Sequence, residues 1–178
     1  HNSGTYGRYL HDPNDSASIS DNCVWSIYID SSATTDLLWI GTSHGLNRFD
    51  PTTGKFRTYL EQDGFPSAYV YGILRDDSSR LWLSTNHGLT RFDDRCPEGR
   101  KFKNYDVSDG IPGNEFNRKA FCRLRNGEFL FGGTKGVIRF DPMQMRDNPY
   151  VPPVVLTAFS KFGNNMGADK SPSSRYRH

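Results

Sequence analysis

The sequence predicts an all-β protein, and three observations carry that expectation. Short runs rich in aromatic and β-branched residues recur along the chain, such as "VWSIYID" at 24–30 and "VYGILRD" at 70–76, and Gly, Pro, Asp and Asn punctuate them. No apolar stripe returns at helical spacing over three turns. The stretch "LWIGTSHGLNRFD" at 38–50 comes back as "LWLSTNHGLTRFD" at 81–93 and, altered, as "FLFGGTKGVIRFD" at 129–141.

Aligned on Gly45, Gly88 and Gly136, the copies stand 43 and 48 residues apart, a period that belongs to arrays of repeated units. Each unit opens with one β-rich run, followed by a polar turn, "SSATTD" or "DSSR", and a second run, "LWIGT" or "LWLST". A tight "SHG" or "NHG" turn leads to the third run, "LNRFD" or "LTRFD". A turn containing Pro and Gly, "PTTGK" or "DRCPEGR", leads to the fourth, "FRTYL" or "KFKNYDV". Four short antiparallel strands per unit, with a Trp on the second, predict the blades of a β-propeller, the first strand nearest the axis and the fourth outermost.

The expected architecture is therefore a partial β-propeller of about three four-stranded blades over residues 1–147. It comprises the outer strand of one blade ("GTYGRYL"), two typical repeats and a variant final blade. Trp39, Trp82 and Leu130 from the second strands, with Phe49, Phe92 and Phe140 from the third, are expected to pack one blade on the next. Each such burial stabilises by roughly 1.5–3 kcal/mol, and only when the neighbouring blade is present.

The repeats also decide how the polar residues are read. His44 and His87 precede the glycine of a hairpin tip, where a positive φ closes a short loop, and the third copy has Lys135 there. They read as turn residues, since ligands or bases would have to converge rather than occupy one tip per blade. Asp50, Asp93 and Asp141 precede turns, where a short carboxylate accepts backbone N–H groups. Arg48, Arg91 and Arg139 stand one residue before the buried Phe and face the other side of the strand. Nothing pairs these acids at the separation that hydrolysis needs, and no catalytic residue is assigned. Cys23, Cys96 and Cys122 have no metal-ligand spacing, and an odd number argues against a complete disulfide framework, while a single bridge among them is left open. "DPND" at 12–15 falls short of a calcium loop. No metal and no cofactor are expected.

The chain has 178 residues and a net charge of +2, with acids and bases interspersed. There is no basic stripe of the kind that binds nucleic acid. No apolar run is long enough to cross a bilayer, so no membrane contact is expected of this segment. It starts at His1, its first Met is Met143, and it has no signal peptide, which reads as a piece of something longer or as a processed product.

At these residues a family resemblance emerges. "LWIGTSHGLNRFDPTTGKFRTY" resembles the two-component-regulator propeller repeat of bacterial sensor proteins. "YLHDPNDSASISDNCVWSIYID" is similar to that family's join between blades, and "DGIPGNEFNRKAFCRLRNGEFLFGGTKGVIRFDP" to its variant final blade. "NPYVPPVVLTAFSKFGN" at 148–164 resembles the first strand of the Ig-like Y_Y_Y module that follows such propellers, and 165–178 is expected to be a disordered tail.

The resemblance implies a sensor region on the periplasmic side of the inner membrane, coupled elsewhere to a histidine kinase or a diguanylate cyclase. In this reading the blades bind a ligand, an oligosaccharide or other small molecule, or transmit a signal, and do no chemistry. The rival readings are a propeller lyase or hydrolase and a protein-interaction scaffold. An enzyme would need acids and bases converging from the inner-strand loops, where Asp21 and Glu115 are the ones on offer. The candidate binding residues are Asn22, Tyr69, Asn114 and Asn117, which start the inner strands and so rim the axial opening. Tyr69 and Tyr71 alternate along one strand and face the same way. The expected partners are the rest of the propeller or a second copy, held through the open blade faces.

Overall fold

The computed structural model of the chain describes residues 7–31, 36–145, 159–161 and 164–166. The chain divides into two units, His1–Met145 and Arg146–His178. The first unit holds three antiparallel sheets. One is built from β1 (Val24–Asp30), β2 (Leu37–Thr42), β3 (Gly45–Asp50) and β4 (Lys55–Tyr59). The next contains β5 (Val70–Arg75), β6 (Leu81–Thr85), β7 (Gly88–Phe92) and β8 (Phe102–Tyr105). The last contains β9 (Phe116–Arg123), β10 (Phe129–Gly133) and β11 (Gly136–Phe140).

These are the blades the repeats predict, with one difference. Among the described residues the third blade has three strands rather than four, and the stretch following its Asp141–Met145 turn lies outside them. In the second unit β12 (Phe159–Lys161) pairs antiparallel with β13 (Asn164–Met166). The remainder of the Ig-like strand expected over 148–164, and of the tail after Met166, lies outside the described residues.

The hairpin between the second and third strands explains itself locally. Gly45 and Gly88 adopt φ of +102° and +106°, and a Cβ on either would run into the carbonyl oxygen of Tyr59 or Tyr105. Thr42 and Thr85 staple the same turn, their hydroxyls donating to the Gly45 and Gly88 carbonyls at 3.1 and 2.9 Å and accepting from the His44 and His87 N–H groups. The turn is then docked on the incoming inner strand, with the N–H of Gly45 donating to Ala68 and that of Gly88 to Asn114.

The first strands of all three blades approach one another, β1 against β5 and β9, and β5 against β9, as strands around an axis must. Between blades the cores are aromatic. Trp39, Leu46 and Tyr59 of the first blade close on Phe65, Ile73, Leu83 and Phe92 of the second, with Trp39 edge-on to Phe92 at 5.2 Å. Trp82, Leu89 and Tyr105 of the second close on Phe116, Phe129 and Phe131 of the third, and Trp82 lies 5.1 Å from Phe140. The expected Trp-to-Phe packing across blades is thus realised at both junctions.

Comparing equivalent positions shows what each junction covers. Ile73 is 3% exposed behind the first blade, whereas Ile27, its counterpart on β1, is 60% exposed. Leu89 is 1% exposed against the third blade, whereas Val137, its counterpart on β11, is 67% exposed. The first blade's outer face is partly capped by the segment before it: Tyr9 meets Phe49 and Phe56 edge-on, and Ile19 joins their cluster.

Two carboxylates knit the polar side. Asp76, its side chain fully buried, accepts from the N–H of Ser78 and Arg80, from Arg80 Nε and from Trp82 Nε1, all at 2.7–2.9 Å. Asp94 of the second blade accepts from the Tyr59 hydroxyl of the first at 3.1 Å and from Lys101 Nζ at 3.1 Å, and pairs with Arg48 at 3.5 Å. Burial alone raises the Asp94 carboxyl, yet the hydrogen bonds from Lys101 and Tyr59 outweigh it and hold it below the usual aspartate range. The same burial, with the Asp94 charge beside it, pushes the Tyr59 hydroxyl far up.

Candidate functional site

The three inner strands share an irregularity near their start. On β1, Val24 stands opposite Thr42 and Ser26 opposite Gly41, leaving Trp25 as an extra residue. On β5, Val70 stands opposite Thr85 and Gly72 opposite Ser84, leaving Tyr71 in the same role. On β9 the mismatch is larger: Phe116 stands opposite Gly133 and Phe121 opposite Phe131, so four residues, Asn117 to Ala120, face Gly132 alone. Within that bulge Lys119 takes a left-handed φ of 61°. A bulge bends its strand and re-aims the extra side chain.

The three bulges aim at one place. The Arg118 guanidinium lies 3.5 Å from the Trp25 ring centroid and 5.9 Å from that of Tyr71. Trp25 and Tyr71 meet edge-on at 6.4 Å, and Tyr69 packs beside Tyr71 at 6.0 Å. The Trp25 Nε1 group donates to Ser43 Oγ at 2.9 Å, which fixes the indole against the hairpin turn of its own blade. Tyr69 is 37% exposed, Tyr71 and Trp25 are half-buried, and Arg118 is exposed. Burial raises the Tyr71 hydroxyl, Arg118 opposes that shift, and Glu115 and Tyr69 add to it. The result is an aromatic surface, edged by a guanidinium, drawn from all three blades.

Of the four residues expected to line the opening, the structure brings Tyr69 into this cluster and puts Asn117 in the bulge that carries Arg118. The other two tie loops. Asn22 Oδ1 accepts from the His11 N–H at 2.9 Å, and Asn114 Oδ1 from the Val107 N–H at 3.0 Å. Trp25 and Arg118 were not singled out by sequence, although the aromatic at the second position of "VWSIYID" and "VYGILRD" is a repeat feature that points to Trp25 and Tyr71.

Other concavities lie elsewhere. His44 lines a cleft of about 230 Å³ with Leu60, Glu61, Gln62, Ser67 and Ala68. A cleft of about 210 Å³ between the first two blades is walled by Asp30, Arg48, Arg75, Asp93 and Arg95, whose charges pair with one another or with Asp94. Among the described residues no group of three or more His, Cys, Asp or Glu side chains is arranged to hold a metal ion, and the three cysteines are free. No helix among the described residues is long and apolar enough to cross a membrane.

Residues 64–87 match the family described as "Two component regulator propeller". The match runs from the loop before β5 to the hairpin tip at His87. Over 55 residues the chain is 44% identical to "Histidine kinase P4" of Formosa agariphila, a stretch covering 31% of this chain and 4% of that protein. Among solved structures it is similar to the extracellular domain of the putative hybrid two component system BT4673 from B. thetaiotaomicron, with 25% identity, a TM-score of 0.61, and coverage of 75% of this chain and 19% of that one. A second structure, titled as the extracellular domain of the putative one component system BT4673 from the same organism, gives 23% identity and a TM-score of 0.59, again over 75% of this chain and 19% of that one. The chain thus spans about a fifth of the length of the solved structures it matches. Three-blade architecture, repeat and matched segment agree: the chain is a partial β-propeller that carries a two-component regulator propeller repeat at residues 64–87.

Proposed function

We propose that this chain belongs to the sensor region of a bacterial two-component-type signalling protein, on the periplasmic side of the inner membrane. In this reading its blades recognise an oligosaccharide or similar small ligand, catalyse nothing, and pass the occupied state to an output elsewhere in the whole protein. The observation that carries it is the convergence of Trp25, Tyr71 and Arg118 from bulges on three successive inner strands. Half-buried aromatic rings with an exposed polar edge suit stacking on a sugar ring. The kinase among its relatives and the extracellular two-component domains among its structural neighbours support the setting. The open faces at Ile27 and Val137 are taken, in this reading, by further blades of the whole protein.

The test is calorimetric titration of the whole protein with a panel of oligosaccharides, repeated with Trp25→Ala and Tyr71→Ala. Binding that weakens at least about tenfold in both variants is the expected result. Binding indifferent to both, or turnover of a bound saccharide, would overturn the reading.

A further inference from the structure

We infer that the inner-strand cluster selects an anionic ligand, a saccharide carrying a carboxylate or a sulfate ester, and that Arg118 is the residue that reads the charge. The inference rests on the sensor reading above and names the class of ligand it takes.

Many arginines elsewhere in the blades are committed to carboxylates, as Arg80 is to Asp76 and Arg139 to Glu128. Arg118 is held differently. Its guanidinium stacks on the Trp25 ring at 3.5 Å, and its contacts among the described residues are with aromatic faces rather than with acceptors. Stacking holds the plane of the group and leaves its N–H edge for something else. A planar fork of N–H donors, fixed in orientation, matches the two oxygens of a carboxylate or a sulfate ester, and the charge-assisted bonds it forms are the strong kind.

The backbone is arranged for this pose. Four residues of β9 face one of β10, and Lys119 adopts a left-handed φ that a lysine does not favour. A strained residue beside an exposed guanidinium is what a positioned binding group looks like, and the neighbouring Lys119 adds a second positive charge. Opposing them is Glu115, whose charge acts on Tyr71. Arg118 lies 5.9 Å from the Tyr71 ring centroid, and Tyr69 packs beside Tyr71 at 6.0 Å, so a saccharide stacked on these tyrosines would have its acidic group within reach of Arg118.

The decisive experiment titrates the whole protein with three probes: an oligogalacturonate, the same oligosaccharide with its carboxylates methyl-esterified, and a sulfated galactan oligosaccharide. Wild type, Arg118→Gln and Arg118→Lys are compared, with thermal unfolding as the check that these exposed substitutions leave the fold alone. At least one acidic probe is expected to bind ten- to a hundredfold more tightly than the esterified one, and which of the two does so identifies carboxylate or sulfate as the group recognised. Arg118→Gln should erase that preference, so that the acidic and esterified probes bind with equal affinity. Arg118→Lys should keep the sign of the preference with reduced affinity. Equal binding of the acidic and esterified probes, still lost in Trp25→Ala, would overturn the anion inference while the sensor reading stands. Acidic-probe binding unchanged in Arg118→Gln would overturn the role of that residue. No binding of either acidic probe would overturn the anion inference, while the sensor reading stands or falls on the wider oligosaccharide panel.

Discussion

Ile73 and Ile27 occupy the same position in consecutive repeats, on strands that pair alike with Leu83 and Ile40, yet one is 3% and the other 60% exposed. Truncating each to Ala therefore makes the same chemical change in two environments. Removing three carbons at about 0.8 kcal/mol per buried CH₂ gives roughly 2.4 kcal/mol for Ile73, to which the residual cavity adds. The neighbours Trp39, Leu46 and Phe92 are large, rigid side chains that collapse poorly into the space. Ile73→Ala should thus cost about 3–4 kcal/mol, within the observed range for such changes. Ile27→Ala should fall within about 0.5 kcal/mol of wild type, as an exposed substitution does. Urea unfolding of the 178-residue chain measures both. At a slope of about 2 kcal/mol/M the first variant should shift the midpoint down by about 1.5–2 M and the second by about 0.25 M or less. Equal shifts would refute the reasoning, because they would mean that something covers the β1 face or that the junction between the first two blades contributes little.

Three further outcomes follow from particular contacts. Asp76→Asn should cost about 3–5 kcal/mol, seen as a lower Tm with altered Trp fluorescence, because one of its two accepting oxygens becomes an NH₂ that faces either the Ser78 and Arg80 N–H groups or Arg80 Nε and Trp82 Nε1, and the Arg80 charge loses its carboxylate. Gly88→Ala should cost about 3 kcal/mol or more in the same assay, since the new methyl meets the Tyr105 carbonyl at a φ that side chains avoid. A cost below about 1 kcal/mol would show that the hairpin shifts to accommodate it. The lowered Asp94 carboxyl gives a pH dependence of fixed sign: a folded value below the ordinary 3.8 contributes stability above that pH and loses it as pH falls through the folded value. Wild type should therefore exceed Asp94→Asn in Tm at neutral pH, the gap closing only as pH falls below the ordinary aspartate range, and a gap constant with pH would refute the assignment.

What the sequence determined is what local chemistry determines. Alternating β-rich runs, a glycine forced to positive φ at each "HG" tip, and a Trp on each typical second strand are properties of segments under ten residues long. They set the strands, the hairpins and the faces that must be buried, and "VWSIYID" became β1 without a change of boundary. The reading of His44 and His87 as turn residues followed from the same repeat. The structure bears it out, since their backbone N–H groups serve the Thr42 and Thr85 staples.

Tertiary structure alone decided the candidate site. A bulge is a mismatch between two strands, and neither strand's sequence records which residue will have no opposite number. Trp25 and Tyr71 look like ordinary strand aromatics until the register with β2 and β6 is known, and Arg118 looks like one basic residue in "NRKAF". The stack of Arg118 on Trp25 joins residues more than ninety positions apart, through a β9 bulge that has no equal in the other blades. Asn22 and Asn114 illustrate the converse, since their placement at the start of inner strands was legible while the loop N–H groups that engage their side chains were not. Period and turn chemistry are written in short stretches, but register and the meeting of blades depend on the packing of the whole array.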